Sequence, residues 1–303
     1  AGLLIDQALI GMLRASAQFW RNAAFAIIKL LLLFLLGVLA MQRDSLGIYT
    51  TWTAGAILSL LMFMFMPATR KALRPARPDW GVLHSLPGAA LIHHSLNLAL
   101  QMPGLVLPVV VTTLLSAELN ASFYMAWLNL HLVFAIPYAL TMVLYAMGAS
   151  EPAAFAQKAR WTLRMAFALG ALSNLIIWPG AGLLLGLFGE RYAAEAAWPL
   201  RIMALGVFPL IIKDHYVAVS RVHGRIRSAA GVAMLGSALE IGLAAAGAVF
   251  NGLTGIAIGF VIALICEALI MIRSVYQAVS VRETEAVAVA LPPATSSDWS
   301  VKP

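Results

Sequence analysis

The stretch LTGIAIGFVIALICEALIMIR, residues 253–273, is apolar throughout except for one acidic residue, Glu267, and it ends at Arg273. A helix needs about 20 largely apolar residues to cross a bilayer, so this stretch is long enough. Further complete stretches of this kind occupy 22–40, 46–66, 84–114, 120–148, 161–187, 196–220 and 228–250, and a partial one occupies 2–13. The sequence therefore predicts an all-α polytopic membrane protein with about eight complete transmembrane helices and one partial helix.

The composition of the 303-residue chain excludes an ordinary soluble domain. Hydrophobic residues make up 62% of it and charged residues 11%, whereas soluble domains average about 45–50% apolar and about 25% charged residues. The net charge of +7 would suit nucleic acid, but the basic residues cluster at the ends of apolar stretches. We interpret them as topology signals and contacts for anionic lipids. The single cysteine, Cys266, excludes an internal disulfide.

The distribution of Lys and Arg predicts the orientation of the chain. Loops on one side hold most of these residues, and loops on the other side hold only Arg43 and Arg191. The rich side is predicted to be cytoplasmic, because cytoplasmic loops are enriched in Lys and Arg. That set is Arg14, Arg21, Arg70, Lys71, Arg74, Arg77, Lys158, Arg160, Arg164, Arg221, Arg225, Arg227, Arg273, Arg282 and Lys302. We expect a multi-pass protein of the cytoplasmic (inner) membrane with a cytoplasmic C-terminus.

A Pro- and Arg-rich connection at 67–81 is typical of a linker between two bundles. A weak internal repeat supports this division: a shift of 208 residues pairs Asp6 with Asp214, and basic residues follow both of them. Such repeats recur in transporters. We predict the last three helices of an N-terminal bundle at 1–66, a cytoplasmic linker at 67–81, a C-terminal bundle of six helices at 82–278, and a disordered cytoplasmic tail at 279–303.

Polar side chains share one face of the predicted helix at 84–114. His94, Asn97 and Gln101 are spaced i, i+3 and i+7, which places them on one helical face. Lipid offers such side chains no partners, so we expect this face to line a hydrated cavity; hydrogen bonding between helices without transport is the alternative. A second polar and aromatic stripe, on the next helix, includes Trp127, His131 and Tyr138.

Charged residues also lie within the predicted spans, where each costs about 2.5–3.5 kcal/mol on insertion scales. The basic ones are Lys29, Arg201 and Lys213, and the acidic ones are Asp6, Asp214, Glu240 and Glu267. We predict that the acidic group serves ion coupling or gating, and a helix-end ion pair with a following Arg is the alternative for the two aspartates. For Lys29 and Arg201, snorkelling toward the headgroups is the alternative to a place in a cavity.

The chain shows none of the patterns that mark common catalytic centres. It has no phosphate-binding glycine loop ending in Lys-Ser/Thr, no Gly-x-Ser-x-Gly and no His/Cys cluster with zinc spacing. His93 and His94 are adjacent, which is a poor arrangement for a shared metal on one helix. We therefore expect no enzyme activity, no cofactor and no metal.

Two stretches carry a family resemblance. The first has HHSLN at 93–97 and QMPGL at 101–105, continuing to Ile136-Pro137; the second has LFGERY at 187–192, Gly224-Arg225, and Asn251-Gly252 through Gly255-Ile256-Ala257. Together they resemble bacterial polysaccharide flippases (O-antigen translocases) of the multidrug/oligosaccharidyl-lipid/polysaccharide exporter superfamily. The likeness covers most of the chain and is diffuse.

The resemblance implies two six-helix bundles around a central cavity, with this chain holding the last nine of twelve helices. Such proteins move undecaprenyl-pyrophosphate-linked oligosaccharides to the outer leaflet by alternating access, for lipopolysaccharide O-antigen or exopolysaccharide biosynthesis. The pyrophosphate would bind Lys29, Arg201 and Lys213, and the sugars would bind His94, Asn97, Gln101, Trp127, His131 and Tyr138. The partners would be the lipid-linked oligosaccharide, membrane lipids, and the polysaccharide polymerase and other assembly proteins, with no nucleic acid.

Three alternatives remain at this point. One is an exporter of drugs or other small cations with the same fold, whose cavity would be acidic with Glu240 and Glu267 unpaired. Another is a membrane glycosyltransferase, polymerase or ligase, which the short outer loops disfavour. The last is a scaffold that transports nothing.

Overall fold

The computed structural model describes residues 15–39, 45–65, 81, 87–150 and 154–280. Within them every regular element is a helix, which confirms the predicted all-α fold class. The partial helix at 2–13 with Asp6, almost all of the 67–81 linker and the tail from 281 onward lie outside the described residues.

Eight helices make up the described part of the chain. They are α1 (Ala15–Leu39), α2 (Ser45–Phe65), α3 (Pro87–Leu114), α4 (Ala117–Ser150), α5 (Phe155–Gly186), α6 (Glu190–Leu205), α7 (Val207–Val222) and α8 (Ile226–Ser280). Five of them are long and apolar enough to cross a membrane, or six spans result if α6 and α7 are counted together. This number is lower than the predicted eight because α8 joins two predicted spans and the apolar part of α2, Gly47–Met62, is short.

The long helix α8 is broken at Asn251 and Gly252, where the predicted spans 228–250 and 253–273 meet. Gly252 has φ 53° and ψ −137°, a left-handed conformation that residues with a Cβ adopt only with strain. The two arms, 226–250 and 253–280, then pack with their backbones in close contact. A Cβ on Gly255 would overlap the carbonyl of Gly247, so glycine at this position permits the close packing.

A second break divides the predicted span 196–220 into α6 and α7, which meet at a bend of 45°. Gly206 lies between them, and Pro209 in the first turn of α7 has no N–H to donate to α6. Asn174 of α5 contacts the end of α6 beside this bend, because its side-chain Nδ2 donates to the carbonyl of Ala204 at 3.0 Å. A side chain from a neighbouring helix thus contributes a hydrogen bond at the bend.

The chain divides into two compact units, Ala1–Leu83 and His84–Pro303. In the first unit, α1 and α2 pack against each other. In the second unit, α3 to α8 surround a buried apolar core whose largest fully buried side chains include Leu107, Phe123, Leu200, Met203 and Ile256. Leu, Ile and Phe side chains also cover much of the outer surface, as expected for a chain in contact with lipid. The predicted three-helix and six-helix organisation stays a prediction.

Candidate functional site: a cavity in the second unit

A cavity of about 650 Å³ lies within the second unit. Four helices contribute side chains to it: α3, α4, α7 and the two arms of α8. Its polar and charged lining consists of Asn97, Gln101, His131, Lys213, Asp214, Arg221 and Glu240, and its aromatic lining consists of Tyr124, Trp127, Phe134, Tyr138 and Phe260. Its volume falls in the range of about 300–1,000 Å³ that is usual for small-molecule sites.

Helix α3 presents two of its three predicted polar residues to the cavity. Asn97 and Gln101 line it, whereas His94 is exposed and is not among the lining residues. The three share a helical face, but His94 lies one turn nearer the start of the helix than Asn97. Helical periodicity predicts the direction in which a side chain points, and it does not predict how far along the helix the cavity extends.

All three predicted residues of α4 line the cavity. Trp127 is buried between Phe123, which stacks on it, and the ring edges of His131 and Phe260, at centroid distances of 5.3 to 5.6 Å. The Nδ1 of His131 lies 2.8 Å from the backbone carbonyl of Trp127, so Nδ1–H donates and the ring orientation is fixed. Tyr138 is half exposed and leaves its ring available to a bound molecule.

Three charged side chains that the sequence left unconnected meet beside this cavity. The ammonium group of Lys213 on α7 forms ion pairs with Glu240 on the first arm of α8 and with Glu267 on the second arm, the latter at 2.8 Å. These residues are 3%, 2% and 2% exposed, respectively. Lys213 and Glu240 line the cavity, whereas Glu267 lies behind them. We call this group the buried triad.

Lys213 was expected to be free to bind pyrophosphate, but two carboxylates already neutralise its charge. Likewise, the unpaired glutamates that a cation exporter was expected to show are paired with Lys213. No spacing in the sequence indicates these contacts, since the three residues lie on separate helical segments. One local feature supports them: Glu267 packs directly against the backbone of Gly236, where a Cβ would overlap its carboxylate.

Asp214 and Arg221 line the same cavity and lie seven residues apart on α7. Arg221 donates through Nη2 to the side-chain oxygen of Asn97 at 2.8 Å, and its guanidinium group lies 5.7 Å from the ring centre of Tyr145. Among the described residues, Asp214 Oδ2 and Arg221 Nε are buried without a hydrogen-bond partner. Arg221 was predicted as a topology signal and, through its i+7 spacing, as a possible ion-pair partner of Asp214; the structure places both residues at the cavity.

Two other predicted cations lie elsewhere. Lys29 belongs to the first unit, where its ammonium group lies 4.2 Å from the ring centre of Trp52 and 5.6 Å from that of Phe25. Arg201 donates through Nε to the carbonyl of Trp178 at 2.7 Å and is not among the residues that line the cavity. The structure therefore does not gather Arg201 and Lys213 into one cationic site.

The charges at the cavity have a definite balance. Lys213 and Arg221 contribute two positive charges, and three carboxylates, those of Asp214, Glu240 and Glu267, lie at the lining or directly behind it. With all five groups ionised, one negative charge is left over. Among the described residues no group of three His, Cys, Asp or Glu side chains is placed to hold a metal ion.

No protein-family model and no curated protein sequence matches the chain. Solved structures do match. A MATE protein in complex with MaL6 aligns with TM-score 0.73 at 15% identity, over 93% of this chain and 66% of that one. Two conformations of a multidrug resistance MATE family transporter of the MOP superfamily also align: the outward-facing one with TM-score 0.72, 15% identity and coverage of 95% and 66%, and the inward-facing one with 0.68, 14%, 93% and 68%.

This chain thus spans about two thirds of the length of these structures, 66% in the MaL6 complex. At such low identity the likeness shows the fold. The chain is a multi-pass membrane protein whose described residues are helical throughout their regular elements and share part of the fold of these MATE structures.

Proposed function

We propose that the chain is part of a transporter that exports small amphipathic organic cations by alternating access, and that the cavity of the second unit holds the cargo. The fold supports transport, because proteins that share it are described in outward-facing and inward-facing conformations. The same proteins are described as multidrug resistance transporters. We therefore favour export of organic cations over the export of lipid-linked sugars that the sequence analysis first favoured.

The charge balance of the cavity is the observation that carries this proposal. When all five groups are ionised, the carboxylates of Asp214, Glu240 and Glu267 outnumber the two cations, Lys213 and Arg221, so this region attracts positive charge and repels negative charge. A pyrophosphate group would bring more negative charge into a site where buried charges interact strongly. The positive charge of an organic cation would neutralise the excess negative charge.

The shape and lining of the cavity agree with such a cargo. Its volume suits a drug-sized molecule, and Trp127 and Tyr138 offer ring surfaces. Cations within about 6 Å of such a ring are attracted by about 0.5–2 kcal/mol, depending on desolvation. Asp214 adds a carboxylate oxygen that has no hydrogen-bond partner among the described residues.

An efflux assay tests the proposal. A bacterial strain without its main drug exporters would express the protein and be loaded with a fluorescent organic cation. We expect efflux to exceed that of an empty-vector strain and to fall about tenfold in Asp214→Asn, which removes one attractive charge worth about 1.4 kcal/mol. Glu118→Gln is the matched control, because Glu118 is an exposed carboxylate outside the cavity. No efflux by well-expressed protein, or equal efflux by both variants, would refute cation export.

Polysaccharide flipping is the second candidate, and one observation favours it. Arg221 has a buried Nε without a partner among the described residues, and it lies in the cavity with Asn97, Gln101 and the aromatic lining, groups that suit a sugar phosphate. Under this function the protein acts in the inner membrane with polysaccharide-assembly partners. Restored surface polysaccharide in a flippase-deficient strain, lost again in Arg221→Gln, would establish it over cation export.

A further inference from the structure

The buried triad is organised as an occupied cation site. Its two carboxylates come from opposite arms of α8, and the ammonium group of Lys213 enters from α7 between them. The distance from Lys213 Nζ to Glu267 Oε2 is 2.8 Å, the length of a charge-assisted hydrogen bond, and Nζ also donates to Glu240 Oε1. One ammonium ion therefore bridges two acids that are far apart in sequence.

The backbone around the triad is shaped to keep both carboxylates in place. Gly236 leaves room for the carboxylate of Glu267, where any larger residue would overlap it. Ser237, the next residue, anchors this arm of α8 to α3 by a hydrogen bond to Ala99. Helix α3 has no Asp, Glu, Lys or Arg, so the nearest other charged lining groups, Asp214 and Arg221, belong to α7 itself.

Part of the site borders the cavity. Lys213 and Glu240 are among the lining residues although they are only 3% and 2% exposed, and Glu267 is not among them. Since Lys213 lines the cavity and pairs with Glu240, removal of its side chain should leave space beside Glu240 at the cavity.

From this geometry we infer that Glu240 and Glu267 form a binding site for ammonium groups that carry N–H, that Lys213 fills the site in the unchanged protein, and that an amine can occupy it once the Lys213 side chain is removed. The inference goes beyond cation export, because the site exists whether or not the protein transports anything.

The requirement for N–H follows from the contacts. Both carboxylates are buried. Glu240 Oε1 accepts a hydrogen bond from Lys213 Nζ, and Glu267 Oε2 forms an ion pair with the same nitrogen at 2.8 Å. A quaternary ammonium group has no donor, and its methyl groups keep its nitrogen away from the oxygens. Since buried acceptors that lose their donors are costly, such a cation is a poor replacement for the lysine.

Chemical rescue of Lys213→Ala tests the site with the full chain purified in detergent. The substitution removes the atoms from Cγ to Nζ, which n-propylammonium replaces. We expect the thermal midpoint of Lys213→Ala to lie well below that of the unchanged protein and to rise by about 5 °C with propylammonium chloride at concentrations far above its Kd. Choline chloride at equal ionic strength should not raise it. The unchanged protein should respond to neither salt, because tethered Lys213 has a high effective concentration.

Two further measurements keep the inference open to refutation. The double variant Lys213→Ala/Glu267→Gln should lose most of the propylammonium effect, because one acceptor carboxylate is gone. If sodium or choline stabilises Lys213→Ala as strongly as propylammonium, the N–H requirement is wrong. If Lys213→Ala fails to fold in propylammonium while Lys213→Ala/Glu240→Gln/Glu267→Gln folds, the pair is no ammonium site. None of these readouts depends on transport, so a failure of cation export would leave them unchanged.

Discussion

The hydroxyl group of Ser237 on α8 lies within hydrogen-bonding distance of the backbone carbonyl of Ala99 on α3, and also of the carbonyl of Ala233 in its own helix. Pro103 lies four residues after Ala99 and has no N–H, so the helix leaves this carbonyl without its usual donor. Both partners are buried. A side chain of one helix thus satisfies the backbone of another, and α3 continues past Pro103.

Replacing Ser237 with Ala should lower the free energy of unfolding by about 1–2 kcal/mol, because the Ala99 carbonyl is left buried without a donor. Ser173→Ala is the matched control, since its hydroxyl bonds only to Leu169 of its own helix. Denaturant unfolding in detergent measures both. Equal stability of the two variants would show that the contact between helices contributes nothing.

The close packing of the two α8 arms leads to a second prediction. A Cβ on Gly255 would overlap the backbone of Gly247, whereas a Cβ on Gly242 meets nothing within 4 Å. Gly255→Ala should therefore destabilise the protein by about 1–3 kcal/mol through overpacking. Gly242→Ala should be neutral or stabilising by up to about 1 kcal/mol, because alanine favours helix. Thermal unfolding of both variants measures the contrast, and similar losses would argue against backbone contact between the arms.

The sequence predicts the helices well because their signal is local. Apolar length indicates the spans, and the 3.6-residue period places Asn97 and Gln101 on the face that lines the cavity. The glycine at 252 marks a turn between two apolar runs, and the structure breaks α8 there. Each of these features depends on neighbouring residues only.

The features that the sequence did not predict depend on contacts between segments that are far apart in the sequence. The pairing of Lys213 with Glu240 and Glu267 requires three helical segments to meet, and no spacing in the sequence encodes it. A hydrogen bond from Asn174 on another helix likewise lies at the bend around Gly206. The pairing of Lys213 decides the charge beside the cavity, because two carboxylates neutralise the ammonium group that was expected to bind an anion.

Asn174 gives a prediction about that bend. Its Nδ2 donates to Gly170 at 3.1 Å within α5 and to Ala204 at 3.0 Å across to α6. Asn174→Ala should cost about 1–2 kcal/mol of unfolding free energy, because the Ala204 carbonyl loses a buried donor. Asn129→Ala is the control, since Asn129 Nδ2 donates only to Met125 in its own helix. A cost for Asn174→Ala no larger than the control's would contradict a role at the bend.

The extent of the cavity along α3 can be tested by function. Gln101 lines the cavity and His94, on the same helical face, does not. If the cavity holds the cargo, Gln101→Ala should weaken cargo binding about fivefold, the effect of losing one hydrogen bond of about 1 kcal/mol. His94→Ala should leave it unchanged. Titration of purified protein with the fluorescent cation measures both, and a larger effect at His94 would place the cargo outside this cavity.

A final prediction concerns a cluster at the other end of the second unit, where α4 and α6 begin. Arg191 pairs with Glu118 at 3.2 Å and with Glu195 at 2.8 Å, and buried Ser122 donates to Glu195 at 2.5 Å. The Arg191 side chain is 58% exposed, so solvent and salt screen its charge.

Arg191→Ala should therefore lower the free energy of unfolding by less than about 1 kcal/mol. This loss should shrink further when NaCl is raised from about 50 mM to about 500 mM, because salt screens the ion pairs. Ser122→Ala should cost about 1–2 kcal/mol at both concentrations, because buried Ser122 loses a hydrogen bond to a carboxylate and carries no charge for salt to screen. Unfolding measured at the two salt concentrations separates the residues. A large, salt-independent loss for Arg191→Ala would mean that its ion pairs, rather than the Ser122 hydrogen bond, hold the two helix starts together.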